Sequence, residues 1–374
     1  MLEKGKISPG QAGKLMFITI LTTAIAFVPE IIANEAGHDA WLAAFIGSHF
    51  GLVTLVIVTW LGGKHPGQTI FQYAETVLGK YPGKLVGLAY VCFFLHMASV
   101  VVRKFGEYLT TSYMILTPLS VFNISLIGLA ALAVIMGLEV IARMNEFIIL
   151  LFVSFLLLII ALPIGNWEPV NLLPFLANGI MPVLHGAIVP ASSHGEIVAM
   201  AVILPFITRP GRTFISGATA VICSGIILTL SVIGTLAVFG PELTASFRFP
   251  LHQLIRSINI GRILTRFEVV VMVAWVAGVF IKTALLYYCA ALGLGQVFGL
   301  REYRTVVLPL GIFMAALSIF LFENVVELVS FLGKAWPLYS ISLFFFGMPL
   351  LLLIVTIIRE KVFDHSFQGG KKDD

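Results

Sequence analysis

Five ionisable side chains stand in stretches where almost everything around them is apolar: Glu30, Glu107, His194, Glu196 and Lys282. Charge buried in hydrocarbon is costly. It persists where it lines a cavity, pairs with another charge or relays protons. Two of these stretches also carry a proline near the middle. The first, 14–34, holds Phe27-Val28-Pro29-Glu30, and the second, 179–207, holds Val189-Pro190-Ala191-Ser192-Ser193-His194-Gly195-Glu196. Proline removes a backbone donor and crowds the preceding turn, so each segment is expected to form two half-helices around an unwound joint. Unwound backbone at membrane depth is tolerated where protein or a polar cavity covers it, and a matched pair of such segments points to a transporter-type binding site.

A helix end frees backbone donors on one side of a joint and acceptors on the other. Together with the helix dipole, the donors suit a carboxylate and the acceptors suit an ammonium group or a cation. A zwitterionic amino acid matches both. The candidate ligand-binding residues are therefore Phe27, Val28, Pro29 and Glu30 on the first segment. On the second they are Val189, Pro190, Ala191, Ser192, Ser193 and Gly195. Glu30 either faces the ligand or neutralises the new half-helix start. Lys282, His194, Glu196 and Glu107 are the candidate gating or proton-linked groups, with the satisfaction of freed backbone as the alternative for His194 and Glu196. Lys282 needs a partner or a wet crevice. Arg103, Lys104 and Glu107 read as an interfacial cluster whose long side chains snorkel to headgroups, a gate role being the alternative. Tyr90 and His96 lie deeper and are candidates to face the cavity.

The elements that position these residues follow from composition. Of 374 residues 59% are hydrophobic and 11% charged, more apolar surface than a soluble domain can bury. Spans of membrane length fall near 12–35, 40–61, 83–109, 118–137, 145–163, 179–207, 213–239, 265–297, 305–322 and 336–358. With the N-terminus cytoplasmic, the inner side carries Lys4, Lys6, Lys14, Lys64, Lys80, Lys84, Arg143, Arg209, Arg212, Arg301, Arg304, Arg359, Lys361, Lys371 and Lys372. The outer loops carry only Arg248, Arg256, Arg262, Arg266 and Lys334. The excess of inner positive charge fixes that orientation, with both termini inside. The 240–264 connection is a candidate for a short interfacial helix.

Ten spans interrupted at the first and sixth divide into two halves of five, and an odd number inverts the second half. The expected fold is an all-α polytopic membrane protein, a single transmembrane domain over 1–374 with the inverted five-plus-five, LeuT-like architecture. The first repeat covers 12–163. The second covers 179–322 and is completed by 336–358. In such a fold the eighth helix packs beside the first break, which puts Lys282 where a coupling cation sits in other members.

Phosphate loops, zinc-binding helices and nucleophile elbows are absent from the sequence, so no enzyme and no cofactor or metal is expected. Cys92, Cys223 and Cys289 fall inside hydrophobic runs and are expected to pack there. The basic residues are dispersed over short loops, which excludes nucleic acid as a partner.

Four strings carry a resemblance. Lys6-Ile7-Ser8-Pro9-Gly10-Gln11 leads into the first span, and Ala36-Gly37-His38-Asp39-Ala40-Trp41-Leu42 follows it. Ala74-Glu75-Thr76-Val77-Leu78-Gly79-Lys80 follows in the next inner loop, then Trp167 and Asn171-Leu172-Leu173-Pro174. In order and spacing they resemble the B subunits of endospore germinant receptors, a branch of the amino acid–polyamine–organocation superfamily. His38 stands where that pattern has glutamine. The resemblance implies an integral protein of the spore inner membrane that senses a small nutrient, often an amino acid. It also implies A and C partner subunits in a receptor that triggers germination and cation release. Apolar positions in the first, third, sixth and eighth spans suit a neutral amino acid. Two other functions fit the same cavity: a proton-coupled amino acid transporter, and a pore-forming ion or water channel subunit.

Overall fold

The structure is a computed structural model that describes residues 3, 5–257 and 267–369. Lys4, Arg262, Arg266, Lys371, Lys372 and the expected start of the eighth span at 265 lie outside the described residues. Sixteen α-helices are described. They are α1 Pro9–Ala36, α2 Ala40–Ser48, α3 Phe50–Lys64, α4 Ile70–Leu78, α5 Lys80–Ser112, α6 Leu119–Met136, α7 Leu138–Ala161 and α8 Met181–Gly195. There follow α9 Met200–Ile203, α10 Thr213–Ser246, α11 Pro250–Ser257, α12 Phe267–Val297, α13 Val307–Phe320, α14 Val325–Gly333, α15 Ala335–Tyr339 and α16 Gly347–Gly369.

Local chemistry sets where the central helix begins. Ser8 caps α1 by accepting from the Gln11 amide, while the Gln11 side chain accepts from the Ser8 amide, and Pro9 needs no amide at the first position. The chain before the cap is tied down too. Ile7 exchanges backbone bonds with Phe206 and Thr208 at 3.0 Å each, and Lys6 Nζ donates to the Pro205 carbonyl at 3.0 Å.

Those contacts also fix direction. The start of α1 lies beside Ile207 and its end beside Gly186, so α1 runs antiparallel to the 181–207 segment. The α2–α3 pass runs parallel to that segment: Gly47 abuts Ala187 and Pro190, Gly51 abuts His194, and Gly62 abuts Leu204. Missing side chains at these glycines let the backbones approach closely. Nine stretches among the described residues are long and apolar enough to cross a membrane. The first, Pro9–Lys64, holds the two opposed passes α1 and α2–α3, so the nine stretches contain ten passes. The chain is an integral membrane protein.

The loop after α1 is clamped to the 167–176 connection. Asp39 accepts the Leu176 amide on both carboxylate oxygens at 3.1 Å, and His38 Nδ1 donates to the Asn171 carbonyl at 2.9 Å. Asn171 Nδ2 reaches the Ala237 carbonyl at 3.1 Å, and Trp41 stacks on Phe175. The short helix α11 occupies the 240–264 connection. Cys289 is buried, as a packing role requires, but Cys92 and Cys223 are exposed.

The two interruptions take a different form from the one expected. Helix α1 stays helical through Phe27-Val28-Pro29-Glu30, with no unwound joint. It is buried on nearly all sides, and close packing holds the helix across the single ladder bond that Pro29 cannot make. The second segment keeps its α-helix through Pro190 as far as Gly195. It then tightens to a 3-10 turn over Glu196–Ala199, returns to α9, and tightens again at Leu204–Phe206. Three side chains take carbonyls of the preceding turn. Ser192 Oγ and Ser193 Oγ donate to Val189, and His194 Nδ1 donates to Pro190. Such bonds compete with the α ladder, and 3-10 geometry follows.

Candidate functional site

The 3-10 turn begins with Glu196, whose Oε2 accepts from Lys282 Nζ of α12 at 2.6 Å. The same Nζ donates to Thr23 Oγ1 of α1 at 2.7 Å. Lys282 is fully buried, and Glu196 and Thr23 nearly so. One ammonium group thus ties the central helix, the interruption and the long eighth span together. Desolvation makes either charge alone strongly unfavourable, so the two require each other. Trp275, two turns earlier on α12, donates its Nε1 proton to the Thr22 carbonyl at 2.7 Å and fixes the height of α12 against α1.

The remaining expected residues distribute around this joint. Phe27 is buried, packs edge-on against Phe249 at 5.2 Å, and lies 5.3 Å from Lys104 Nζ. Val28 and Pro29 are buried in α1. Glu30 is half-buried, and its Oε2 has no hydrogen bond among the described residues. Val189, Pro190, Ala191 and Ser192 are buried in α8, Ser193 is half-buried, and Gly195 lies under the Phe345 ring. The His194 ring lies against Gly225 of α10, with its Nε2 buried and unpartnered. It faces α10 rather than the Lys282–Glu196 pair.

The third span departs most from expectation. Arg103, Lys104 and Glu107 are buried, so they do not snorkel to an interface. Arg103 grips Glu107 Oε1 through Nε at 2.9 Å and Nη2 at 2.7 Å, and its Nη1 reaches the Ile319 carbonyl at 2.8 Å. That pair caps the free carbonyls at the end of α13, a positioning job for Glu107 and Arg103. Lys104 points the other way, onto Phe27. Tyr90 donates to the Phe344 carbonyl at 2.8 Å, and His96 pairs with the Tyr339 hydroxyl at 2.5 Å. Both therefore face the tenth pass instead of the joint.

Sequence reasoning missed Thr23 and an aromatic cluster beside it, and it placed Lys104 at the interface. Phe249 packs on Tyr108 at 4.9 Å, and Tyr108 on Trp275 at 4.4 Å. They line an apolar cavity of about 30 Å³ with Ile25, Ala26 and Phe152. Helix α11 covers it through His252, which is 3.1 Å from the Tyr108 hydroxyl and 3.3 Å from that of Tyr113. Burial, reinforced by the neighbouring Arg256 charge, pulls the His252 pKa down to about 4 against a smaller opposing pull from Glu268. The ring is therefore neutral at physiological pH, and its Nδ1 can accept from either tyrosine. The arrangement offers a buried cation–carboxylate pair, a hydroxyl and an apolar cavity, a set suited to binding and release, with no nucleophile–base pair.

Comparison with known proteins agrees with this geometry. A family model described as "Spore germination protein" (Spore_permease) matches residues 6–325. Spore germination protein KB of Bacillus subtilis (strain 168) is 30% identical over 367 residues, covering 96% of this chain and 97% of the relative. Among solved structures, MhsT in complex with L-phenylalanine superposes with a TM-score of 0.65 at 14% identity, over 95% of this chain and 99% of MhsT. A Na+-coupled sialic acid symporter in its substrate-bound outward-open state gives 0.61 at 13% identity, over 92% and 80%. The fold is thus the LeuT-type transporter fold, and the chain belongs to the spore permease family of spore germination proteins.

Proposed function

We propose that this chain is the membrane-embedded, nutrient-sensing subunit of a germinant receptor. It binds a small ligand, an amino acid in the first instance, where α1, the 196–199 turn and α12 meet. The observation that carries this reading is the Lys282–Glu196–Thr23 joint, which links the 181–207 segment, where the helix changes form, to both of its central neighbours. A ligand that favours one arrangement of that joint shifts the balance of conformers, and a sensor needs no more than that. Partner subunits of the A and C type would read the shift. The reading places the chain in the spore inner membrane with both termini on the core side. It also treats 12–163, and 179–322 with 336–358, as two inverted repeats.

A transporter is the second reading, favoured by the fold: the sialic acid relative is a Na+-coupled symporter. Purified, reconstituted protein separates the two. Thermal unfolding is followed with amino acids, sugars and inorganic ions, and uptake of any stabilising solute is measured in liposomes. Sensing predicts saturable stabilisation without accumulation inside the vesicles. Concentrative uptake would replace sensing with transport, and the absence of any stabilising solute would remove the ligand site itself.

A further inference from the structure

Lys104 is attracted electrostatically to Glu196, the carboxylate that Lys282 already holds at the joint. It is 9% exposed, its Nζ lies over the face of Phe27, and it makes no hydrogen bond or ion pair among the described residues. The nearby carboxylates are committed elsewhere, Glu196 through Oε2 to Lys282 and Glu107 through Oε1 to Arg103. An aromatic face offsets only a small part of what an ammonium loses on leaving water. Two lysines therefore share one glutamate in this part of the protein interior.

Beside that charge lies a place for an apolar group. Tyr108 follows Lys104 by four residues, so both stand on the same face of α5, one turn apart. Tyr108 lines the cavity of about 30 Å³, together with Phe249, Ala26 and Trp275. The Phe27 ring under the ammonium packs on Phe249, which is part of the cavity wall.

We propose that Lys104 is the counter-ion for a carboxylate on the ligand. The ligand is then a monocarboxylate with a small apolar side chain directed past Phe27 and Phe249 toward the cavity. This rests on the ligand-binding reading above and adds the ligand's chemical class. It also moves the anion contact away from the freed donors expected after Val28, because α1 is helical there and its own ladder uses those amides. The side chain takes that role.

The test uses the purified full-length protein and its thermal unfolding. The probes are L-leucine and L-valine, isovalerate (a carboxylate without the amine), isoamylamine (an amine without the carboxylate), and glucose. L-Leucine, L-valine or isovalerate is expected to raise the wild-type midpoint by several degrees, with isoamylamine and glucose without effect. In Lys104→Met the response is lost, with affinity falling at least tenfold, while Lys104→Arg keeps a measurable response. The unliganded midpoint of Lys104→Met is expected at or above that of the wild type, because a buried ammonium without a hydrogen bond has gone, and this shows that the variant folds. Stabilisation by isoamylamine equal to that by leucine, or an undiminished leucine response in Lys104→Met, would overturn the carboxylate assignment and leave a ligand site standing. So would stabilisation by glucose alone. Silence of the wild type toward every probe would instead bring down the proposed function, and this inference with it.

Discussion

Helix α1 and the 181–207 segment both bury a proline near mid-membrane, yet one stays helical and the other changes form. The difference lies in what competes for the carbonyls. On α1 such bonds are isolated, Thr19 donating to Leu15, Thr22 to Ile18 and Asn34 to Glu30, each at a separate turn, and the helix continues through all three. Around Pro190 a Ser-Ser-His run takes carbonyls of the preceding turn, and a glycine then admits the Phe345 ring. The segment tightens from Glu196, six residues past the proline, and places that glutamate opposite Lys282. A proline marks a weak point, while the side chains that follow it decide whether the helix gives way.

Removing the charge pair is the strongest way to break this comparison. Lys282→Met or Glu196→Gln alone should cost about 3–5 kcal/mol, because each strands its buried partner. The double variant should recover most of that loss, and thermal unfolding of the three proteins measures the cycle. Equal losses in single and double variants would mean the pair is not what holds the interruption to α1 and α12.

The cover over the aromatic cavity gives the next effect. His252 has a folded pKa of about 4, below its unfolded value near 6.5, so stability is full above pH 6.5. It falls as pH drops toward 4, because the unfolded chain takes up a proton that the folded one refuses. Linkage sets the loss at about 3 kcal/mol. His252→Gln should flatten the unfolding midpoint between pH 6.5 and 4 relative to the wild type, and an unchanged slope would assign the acid sensitivity to other groups.

Smaller effects sharpen the contrast between the two segments. Gly195→Ala sets a methyl against the Phe345 ring and should cost about 1–3 kcal/mol, with the loss concentrated in the segment that changes form. Pro29→Ala restores one ladder bond to an already intact helix, so its unfolding midpoint should shift by an amount worth about 1 kcal/mol or less. A loss above 3 kcal/mol at Pro29 would show that α1 depends on its proline after all.

The spans were legible in composition, because a bilayer imposes their length and apolarity. The strings around Ser8 and Asp39 were legible as family marks, and their structural work is plain: a capping box, and a clamp on the 167–176 connection. The joint was legible only in pieces. Glu196 and Lys282 stand out as charges in apolar runs, but 86 residues separate them and no local pattern announces their pairing. Thr23 carries no signal, since hydroxyls inside helices commonly bond their own preceding turn. Lys104 was hidden by its neighbours. Arg103 and Glu107, four apart, share a helix face and pair with each other, whereas Lys104 stands about 100° around the helix from Arg103 and shares a face with Tyr108. That offset was readable from spacing, and it separates the structural pair from the unpaired charge.

Hydrogen exchange on the reconstituted protein tests the central claim most directly, with and without a saturating amino acid that stabilises it. Amides of 196–206 are predicted to exchange faster than those of 25–31 in the free protein and to slow when the amino acid is bound, while 25–31 stays protected throughout. Protection that appears in 25–31 and leaves 196–206 unchanged would contradict the account and return the ligand to a break in α1.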